Sequence, residues 1–386
     1  MFGVSASFSR SWEVRKQVFN MTELERIQTL ILESTPVLGR EMAPILDSLG
    51  RVLACDIAAT EDVPCADISA VDGFAVFHGS LDGASKQNPV VLSVVGESPA
   101  GRPCGVTVGQ GEAVRIMTGG VIPDGADAVV KKEDTEDQGP LVVCANNPAR
   151  WGNIRLKGEA FKEGEVVLFA GDVVGPVEVC ELASLRRAHV HVYQKPVVAI
   201  ISTGDELSDF HESSSPGKTM SSTLYGLAAQ VLETGAVPLL LGIAPDNPLE
   251  QQRLLSEGLR ADVVITSGGL SKGKYDFVKE TFQSLGVDIK FRNIAMKPGK
   301  PAVFGAINKT LIFGFPGNPS ASMISFEQFV KPALLKMMGR LPATDAQESP
   351  FSAIDSFRLD HMGCNSHSRA SLVPCRKLST GDGKPL

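Results

Sequence analysis

In residues 22–33, Leu24, Ile27, Leu30 and Ile31 recur at three- and four-residue spacing. This predicts a helix with one apolar stripe, with Thr22 placed as its N-cap. Residues 41–53 predict a second short helix, interrupted near Gly50. From residue 55 to about 158 the texture changes. Short apolar runs at 90–95, 113–117, 128–132 and 141–145 lie between turns rich in Gly, Pro, Asn and Asp, which predicts a small, mostly β domain. Residues 165–168 predict a strand and 179–185 a helix. The segment before Pro196 is expected to close back on the N-terminal helix.

Beyond Pro196 the period alternates between strand and helix. Residues 196–202 form a continuous apolar run, hence a strand buried on both faces. Residues 223–233 predict a helix stopped by Gly235, and 236–244 a buried strand despite Pro238 and Gly242. A helix at 248–259, a strand at 261–266, a helix at 275–285, a strand at 311–315 and a long helix at 320–338 complete the series. Strands separated by helices give a parallel sheet with right-handed crossovers, so residues 196–340 are expected to be a doubly wound α/β domain. Residues 21–54 and 161–195 are expected to form an N-terminal helical and linking domain, with 55–160 inserted as the β-rich domain. Residues 1–20 carry Arg10, Arg15 and Lys16 against Glu13 and lack the apolar core of a secretory leader. A disordered extension is expected there, though the scarcity of acids also fits a transit peptide. After Arg340 the periodicity is lost, and 366–386 is rich in Pro, Gly, Ser and basic residues.

Composition narrows the function classes. A chain of 386 residues with 43% hydrophobic and 21% charged residues is a globular protein of two to four domains. A net charge of -7 argues against a general nucleic-acid binder, which needs a basic face. No apolar run reaches the roughly 18 residues of a membrane helix. The seven cysteines are scattered without a C-x-x-C pair, so neither a zinc site nor a disulfide framework is expected, and a reducing, cytoplasmic compartment is. His189 and His191 share a strand face but lack a third ligand at a convincing spacing.

Ligands of open parallel sheets bind beyond the carboxyl ends of the strands. The predicted strands are followed by Thr203-Gly204-Asp205-Glu206, by Pro245-Asp246-Asn247, by Ser267-Gly268-Gly269-Leu270-Ser271-Lys272-Gly273 with Asp276, and by Pro316-Gly317-Asn318-Pro319. Singly, a glycine turn is only a turn, and Asp246 could be a helix cap. Together they form a rim of glycine turns, hydroxyls and carboxylates. The loop of Gly268, Gly269, Ser271 and Gly273 would let backbone amides approach an anion, yet it has neither the Walker A spacing nor the dinucleotide G-x-G-x-x-G. Lys297 and Lys300, in a proline-stiffened loop, could clamp phosphate or another oxyanion. Carboxylates beside phosphates imply a hard cation, most simply Mg²⁺. In the β segment, Asp62, Asp67 and Asp72 cluster with Ser69, Arg115 leads into Thr118-Gly119-Gly120, and Arg155 and Lys157 sit in a short turn.

These motifs, in this order, resemble one family. Asp62-Val63-Pro64, Ser69-Ala70 and Asp72-Gly73-Phe74-Ala75-Val76 are similar to its P…N-S-A-M-D-G-Y-A-V block, and Arg115-Ile116-Met117-Thr118-Gly119 to its R-I-M-T-G block. Ser202-Thr203-Gly204-Asp205-Glu206-Leu207, Ser267-Gly268-Gly269, Ser271-x-Gly273-x-x-Asp276, Lys297-Pro298-Gly299-Lys300-Pro301 and Pro316-Gly317-Asn318-Pro319 follow. Over residues 21–340 the chain resembles the molybdopterin molybdenumtransferases, the family of bacterial MoeA and the gephyrin E-domain. The resemblance implies an elongated homodimer with N-terminal helices, an inserted β-rich domain, an α/β molybdopterin-binding domain and a C-terminal β-barrel. It also implies Mg²⁺-dependent insertion of molybdate into adenylylated molybdopterin with release of AMP. Asp72, Thr118, Glu206 and Asp276 would be catalytic, and Glu206, Asp246 and Asp276 would hold the metal. The substrate would lie on Gly268, Gly269, Ser271, Gly273 and Pro316, Gly317, Asn318, Pro319, with Lys297 and Lys300 on molybdate or phosphate. Asp72 and Thr118 are expected to come from the other subunit. The pathway's adenylyltransferase is a possible partner by the same implication.

The chain departs from the pattern at several points. Ala160 follows Gly158-Glu159 where an R-x-x-G-E-D block has an acid, and Ser221-Ser222-Thr223 replaces D-[ST]-N. Ile68 and Val71 stand for Asn and Met, and Lys272 and Lys274 for an apolar residue and an acid. Residues 341–386 are expected to be a shortened C-terminal segment, with the barrel truncated or absent. Besides the transferase, these departures admit a non-catalytic molybdopterin-binding scaffold or a tungstate-preferring paralogue. The inserted β domain argues against the pathway's adenylyltransferase.

Overall fold

The computed structural model describes residues 22–213, 215–269, 277–294 and 299–340. They divide at Ile57–Ala58 and Glu165–Val166 into two units. The larger is built on a six-stranded sheet in the order Val237–Ala244, Val197–Thr203, Val263–Ser267, Thr310–Phe315, Val303–Ile307, Asp288–Arg292. The first four strands are mutually parallel and the last two antiparallel. Val197–Thr203 and Val263–Ser267 are buried almost throughout, as their unbroken apolar runs require.

Helices cover both sheet faces. On one, Val198, Ile200 and Phe313 pack with Leu224, Leu227 and Val231 of the Ser222–Thr234 helix, and with Phe326 and Leu334 near the chain's last described helix. On the other, Ala199, Ile201 and Val264 meet Leu254 and Leu255 of the Pro248–Gly258 helix and Phe282 of the Phe277–Ser284 helix. The Ser222–Thr234 helix stops where Gly235 takes φ 92°, a left-handed conformation that glycine adopts without penalty.

Four expectations are corrected. Residues 41–53 are not helical. Arg40–Pro44 is a strand, antiparallel to His189–Tyr193, and the chain then turns at Gly50, whose φ is 76°. Pro44 has no amide for an interior helical bond, and the alternating partner strand outweighs the helical propensity of Glu41, Met42 and Ala43. The segment before Pro196 therefore closes on this strand rather than on the N-terminal helix. That helix, Glu23–Ser34, has the expected Thr22 cap in a reciprocal box with Glu25. Its Ile27 and Ile31 belong to the α/β core.

Second, Val237–Ala244 is an edge strand, with Val237, Leu239 and Leu240 41–44% exposed. An edge tolerates Pro238, because no neighbour needs its missing amide. Third, the sheet is not wholly parallel. The Asp288–Arg292 and Val303–Ile307 strands add an antiparallel edge that strand–helix alternation did not announce. Fourth, the final helix is broken into Pro319–Ser325, a π-helical turn at Phe326–Val330, and Lys331–Met337. The widened turn lies just before Pro332, whose ring would clash with the preceding turn of a regular helix.

The smaller unit is β-rich, as expected. Its six-stranded sheet runs Ala128–Lys131, Gly73–Val76, Glu112–Ile116, Val90–Ser98, Leu141–Cys144, Thr135–Asp137. Phe74, Val76, Leu92, Val130 and Val142 form the core of one face, and Val114, Ile116, Val129 and Ile154 that of the other. Gly73 is required at its position, since a Cβ there would stand 1.9 Å from the Val130 carbonyl oxygen. The expectations for residues 1–20 and 341–386 lie outside the described residues. Among the described residues no helix is long and apolar enough to cross a membrane.

Candidate active site

Three loops at the carboxyl ends of the parallel strands converge on Gly268. Its φ is 101°, and its amide donates to the Phe315 carbonyl at 2.9 Å. A Cβ on Gly268 would lie 2.4 Å from the Thr203 carbonyl oxygen and 2.7 Å from its hydroxyl. On the third side, a Cβ on Gly317 would lie 3.7 Å from the Gly268 Cα. The Ser267 hydroxyl donates to the Pro316 carbonyl at 3.4 Å, and the Ser322 hydroxyl donates to the same oxygen. Gly269 follows with φ 67°. Asn318 caps the helix Pro319–Ser325 by accepting from the Ala321 amide at 3.1 Å. Gly317, Asn318 and Pro319 are exposed, so the turn presents bare backbone to an incoming ligand.

Carboxylates gather at the neighbouring loops. Gly204, at φ 146°, lies directly against the Glu206 side chain, where a Cβ would stand 2.4 Å from Glu206 Oε2. Lys218 Nζ donates to the Asp205 carbonyl at 2.8 Å and the Leu207 carbonyl at 3.2 Å, which holds this loop in shape. The Asp246 amide donates to Asp205 Oδ1 at 3.0 Å. The cap of the next helix is Asn247, which accepts from the Leu249 amide at 2.9 Å. Asp246 therefore does not cap that helix. Burial pushes its carboxyl above the usual carboxylate range. A hydrogen bond from the Asp205 backbone opposes this, and the negative charges of Asp205 and Glu206 add to it.

Repelling oxygen donors of this kind suit a hard cation, which would relieve both the repulsion and the burial cost. Among the described residues, however, no three such side chains are already arranged around a common point. Lys300 is exposed, and its carbonyl accepts from the Ile294 amide at 2.9 Å. Ser271, Gly273, Asp276 and Lys297 lie outside the described residues.

In the β-rich unit, Asp72 and Thr118 are 46 residues apart in sequence yet in direct contact. Asp72 Oδ1 accepts from the Thr118 amide at 2.7 Å and from its hydroxyl at 2.8 Å. These two bonds, with a smaller contribution from the Lys132 charge, hold the Asp72 carboxyl below the usual range. Asp72 is thus a carboxylate at neutral pH, not a proton donor. Beside it is a cavity of about 190 Å³ lined by Phe74, Arg115, Met117, Lys132 and Asp137. Arg115 makes a bidentate pair with Asp137 and lies over the Phe74 ring, 5.5 Å from its centre. Ala160, which replaces an expected acid, contributes only its amide, donated to the Val63 carbonyl at 2.9 Å.

Comparison with known proteins agrees with this geometry. Residues 22–185 match the MoeA N-terminal region (domain I and II), and residues 199–336 match a probable molybdopterin binding domain. The molybdopterin molybdenumtransferase of Nostoc sp. is 39% identical over 303 residues, covering 78% of this chain and 70% of that protein. That of Bacillus subtilis is 40% identical over 299 residues, covering 76% and 70%. This chain belongs to the molybdopterin molybdenumtransferase family. A solved structure, the molybdopterin biosynthesis MoeA protein of Pyrococcus horikoshii, superposes with a TM-score of 0.74 at 31% identity, over 83% of this chain and 81% of that one.

Three further residues shape the rim. Thr203 forms the floor under Gly268, Asp205 bonds the loop of Asp246, and Lys218 ties two carbonyls of the acidic loop. Thr203 and Asp205 are marked in the sequence by their place in the Thr203–Glu206 rim loop. Lys218 had no such signal, because its partners are backbone oxygens. The two histidines of the His189–Tyr193 strand belong to no metal-binding group among the described residues.

Proposed function

We propose that this chain inserts molybdate into adenylylated molybdopterin and releases AMP. One observation carries the reading: glycine turns from three strand ends meet at Gly268, beside the carboxylates of Asp205, Glu206 and Asp246. Bare backbone amides suit the phosphate and AMP moieties of the substrate. Glu206 and Asp246, with Asp276, would hold Mg²⁺, which would neutralise the phosphate charge during cleavage. Lys300, with Lys297, would attract the molybdate anion. The Asp72–Thr118 pair supplies a fixed, ionised carboxylate, and its presence supports turnover over a purely holding role. The five described cysteines are free, in keeping with a reducing, cytoplasmic setting. The pathway's adenylyltransferase is a natural partner, because it makes the substrate.

The test is to incubate the purified chain with adenylylated molybdopterin, Mg²⁺ and either molybdate or tungstate. AMP release that requires the oxyanion is the expected result, and the preferred oxyanion gives the faster release. No release, or release indifferent to the oxyanion, would overturn the reading.

We further propose a homodimer, in which the Asp72 group of one subunit serves the rim of the other. Neither set of residues alone makes a complete site. Co-expressing Asp72→Ala and Asp246→Ala chains, each inactive, should restore part of the AMP release, since a mixed dimer carries one intact combination. A monomeric mass with no rescue would refute it.

A further inference from the structure

The helix Ser222–Thr234 starts at the rim without a side-chain cap. Its N-cap residue is Ser221, a type that normally turns its hydroxyl onto an amide of the first turn. Here it does not, and no acidic residue stands in that turn. Ser221 is only 2% exposed, and its hydroxyl has no hydrogen-bond partner. A buried, unmet hydroxyl beside uncapped helix amides is costly unless a ligand completes the set.

A second hydroxyl of the same kind is on the strand over which this helix packs. Ser202 is 1% exposed, and its Oγ also lacks a partner. It alternates along its strand with Val198 and Ile200, whose side chains pack with Leu224, Leu227 and Val231 of this helix. Ser202 therefore faces the layer in which the helix lies. Ser222, Gly317 and Asn318, beside this helix end, are exposed. The Thr223 hydroxyl, in the first turn, donates to the Gly317 carbonyl at 3.2 Å and joins this helix end to the rim. A carboxylate at 221 would cap the helix and repel an anion, whereas a hydroxyl leaves the amides free and donates as well.

We propose that the N-terminus of helix Ser222–Thr234, with the Ser221 and Ser202 hydroxyls, is a subsite for a tetrahedral oxyanion, either the phosphate of the substrate or free molybdate. The identity of the anion rests on the transferase reading, but its charge and shape do not. The test uses the full chain, with calorimetric titration of inorganic phosphate and, separately, of molybdate, beside thermal melts without ligand. Ser221→Asp should weaken anion binding roughly tenfold or more through repulsion and competition for the amides. The same substitution should raise the ligand-free Tm by a few degrees, because aspartate caps the helix. These opposite signs separate loss of the subsite from loss of the fold. Ser221→Ala should weaken binding about three- to tenfold with little change in Tm.

Binding of phosphate alone assigns the subsite to the substrate's phosphate, and binding of molybdate alone assigns it to the metal oxyanion. Wild-type protein that binds neither, or a Ser221→Asp variant that binds as wild type does, overturns the proposal. A Ser221-dependent anion site in a chain that releases no AMP would keep the subsite and sink the transferase reading.

Discussion

Gly268→Ala should lower AMP release by about 100-fold, the loss expected when reacting groups are displaced by roughly an ångström. It should also cost about 2–4 kcal/mol of stability, combining left-handed strain with a steric clash. The added methyl would stand 2.4 Å from the Thr203 carbonyl oxygen, and backbone cannot rotate out of the way as a side chain can. Relief would have to come from the Thr203–Glu206 loop or from the 315–317 turn, and either movement displaces a wall of the site. Gly286→Ala is the matched control. Its φ of 76° carries the same kind of strain, but nothing lies within 4 Å of the new methyl. It should lose about 1 kcal/mol and keep its turnover. Urea unfolding and the AMP assay measure both effects. Equal behaviour of the two variants would show that the contact with Thr203 does not shape the site.

Much of the rim was legible because its determinants are local. A strand buried on both faces writes itself as an unbroken apolar run, as in Val197–Thr203, and the glycines beyond it mark where backbone must bend or be approached. The Asp72–Thr118 contact was legible only through motif resemblance, since nothing local joins positions 46 residues apart. What stayed hidden was decided by distant partners. Arg40–Pro44 is a strand because His189–Tyr193 lies beside it, and no window of residues 41–53 contains that fact. The antiparallel edge formed by Asp288–Arg292 and Val303–Ile307 likewise depends on its neighbour, Thr310–Phe315. The uncapped Ser221 is a subtler case. Its residue type predicts a cap, and only the structure reveals that the hydroxyl is buried and unused.

Asp246→Asn should abolish Mg²⁺-dependent turnover while making the metal-free protein more resistant to heat. The two effects share one cause. Burial, together with the charges of Asp205 and Glu206, raises the folded-state pKa of the Asp246 carboxyl. The folded chain therefore holds this proton at pH values where the unfolded chain has released it. Stability without metal then falls as pH rises through the window above the ordinary carboxylate value. Asparagine has no proton to lose, so the variant should lack that slope and melt at a higher temperature at neutral pH. A bound cation reverses the sign for the wild type, because it rewards the ionised form that the bare site penalises. Mg²⁺ should thus raise the Tm of the wild-type protein and leave that of Asp246→Asn nearly unchanged. AMP release by the variant should fall on the order of 100-fold or more, the usual consequence of removing a group that stabilises charge in the transition state. At subsaturating Mg²⁺, wild-type release should in turn rise with pH through the same window, because the cation binds as Asp246 ionises. Near-wild-type turnover in Asp246→Asn, or an equal Mg²⁺ shift in both proteins, would remove Asp246 from the metal site and leave its raised pKa as a cost of burial alone.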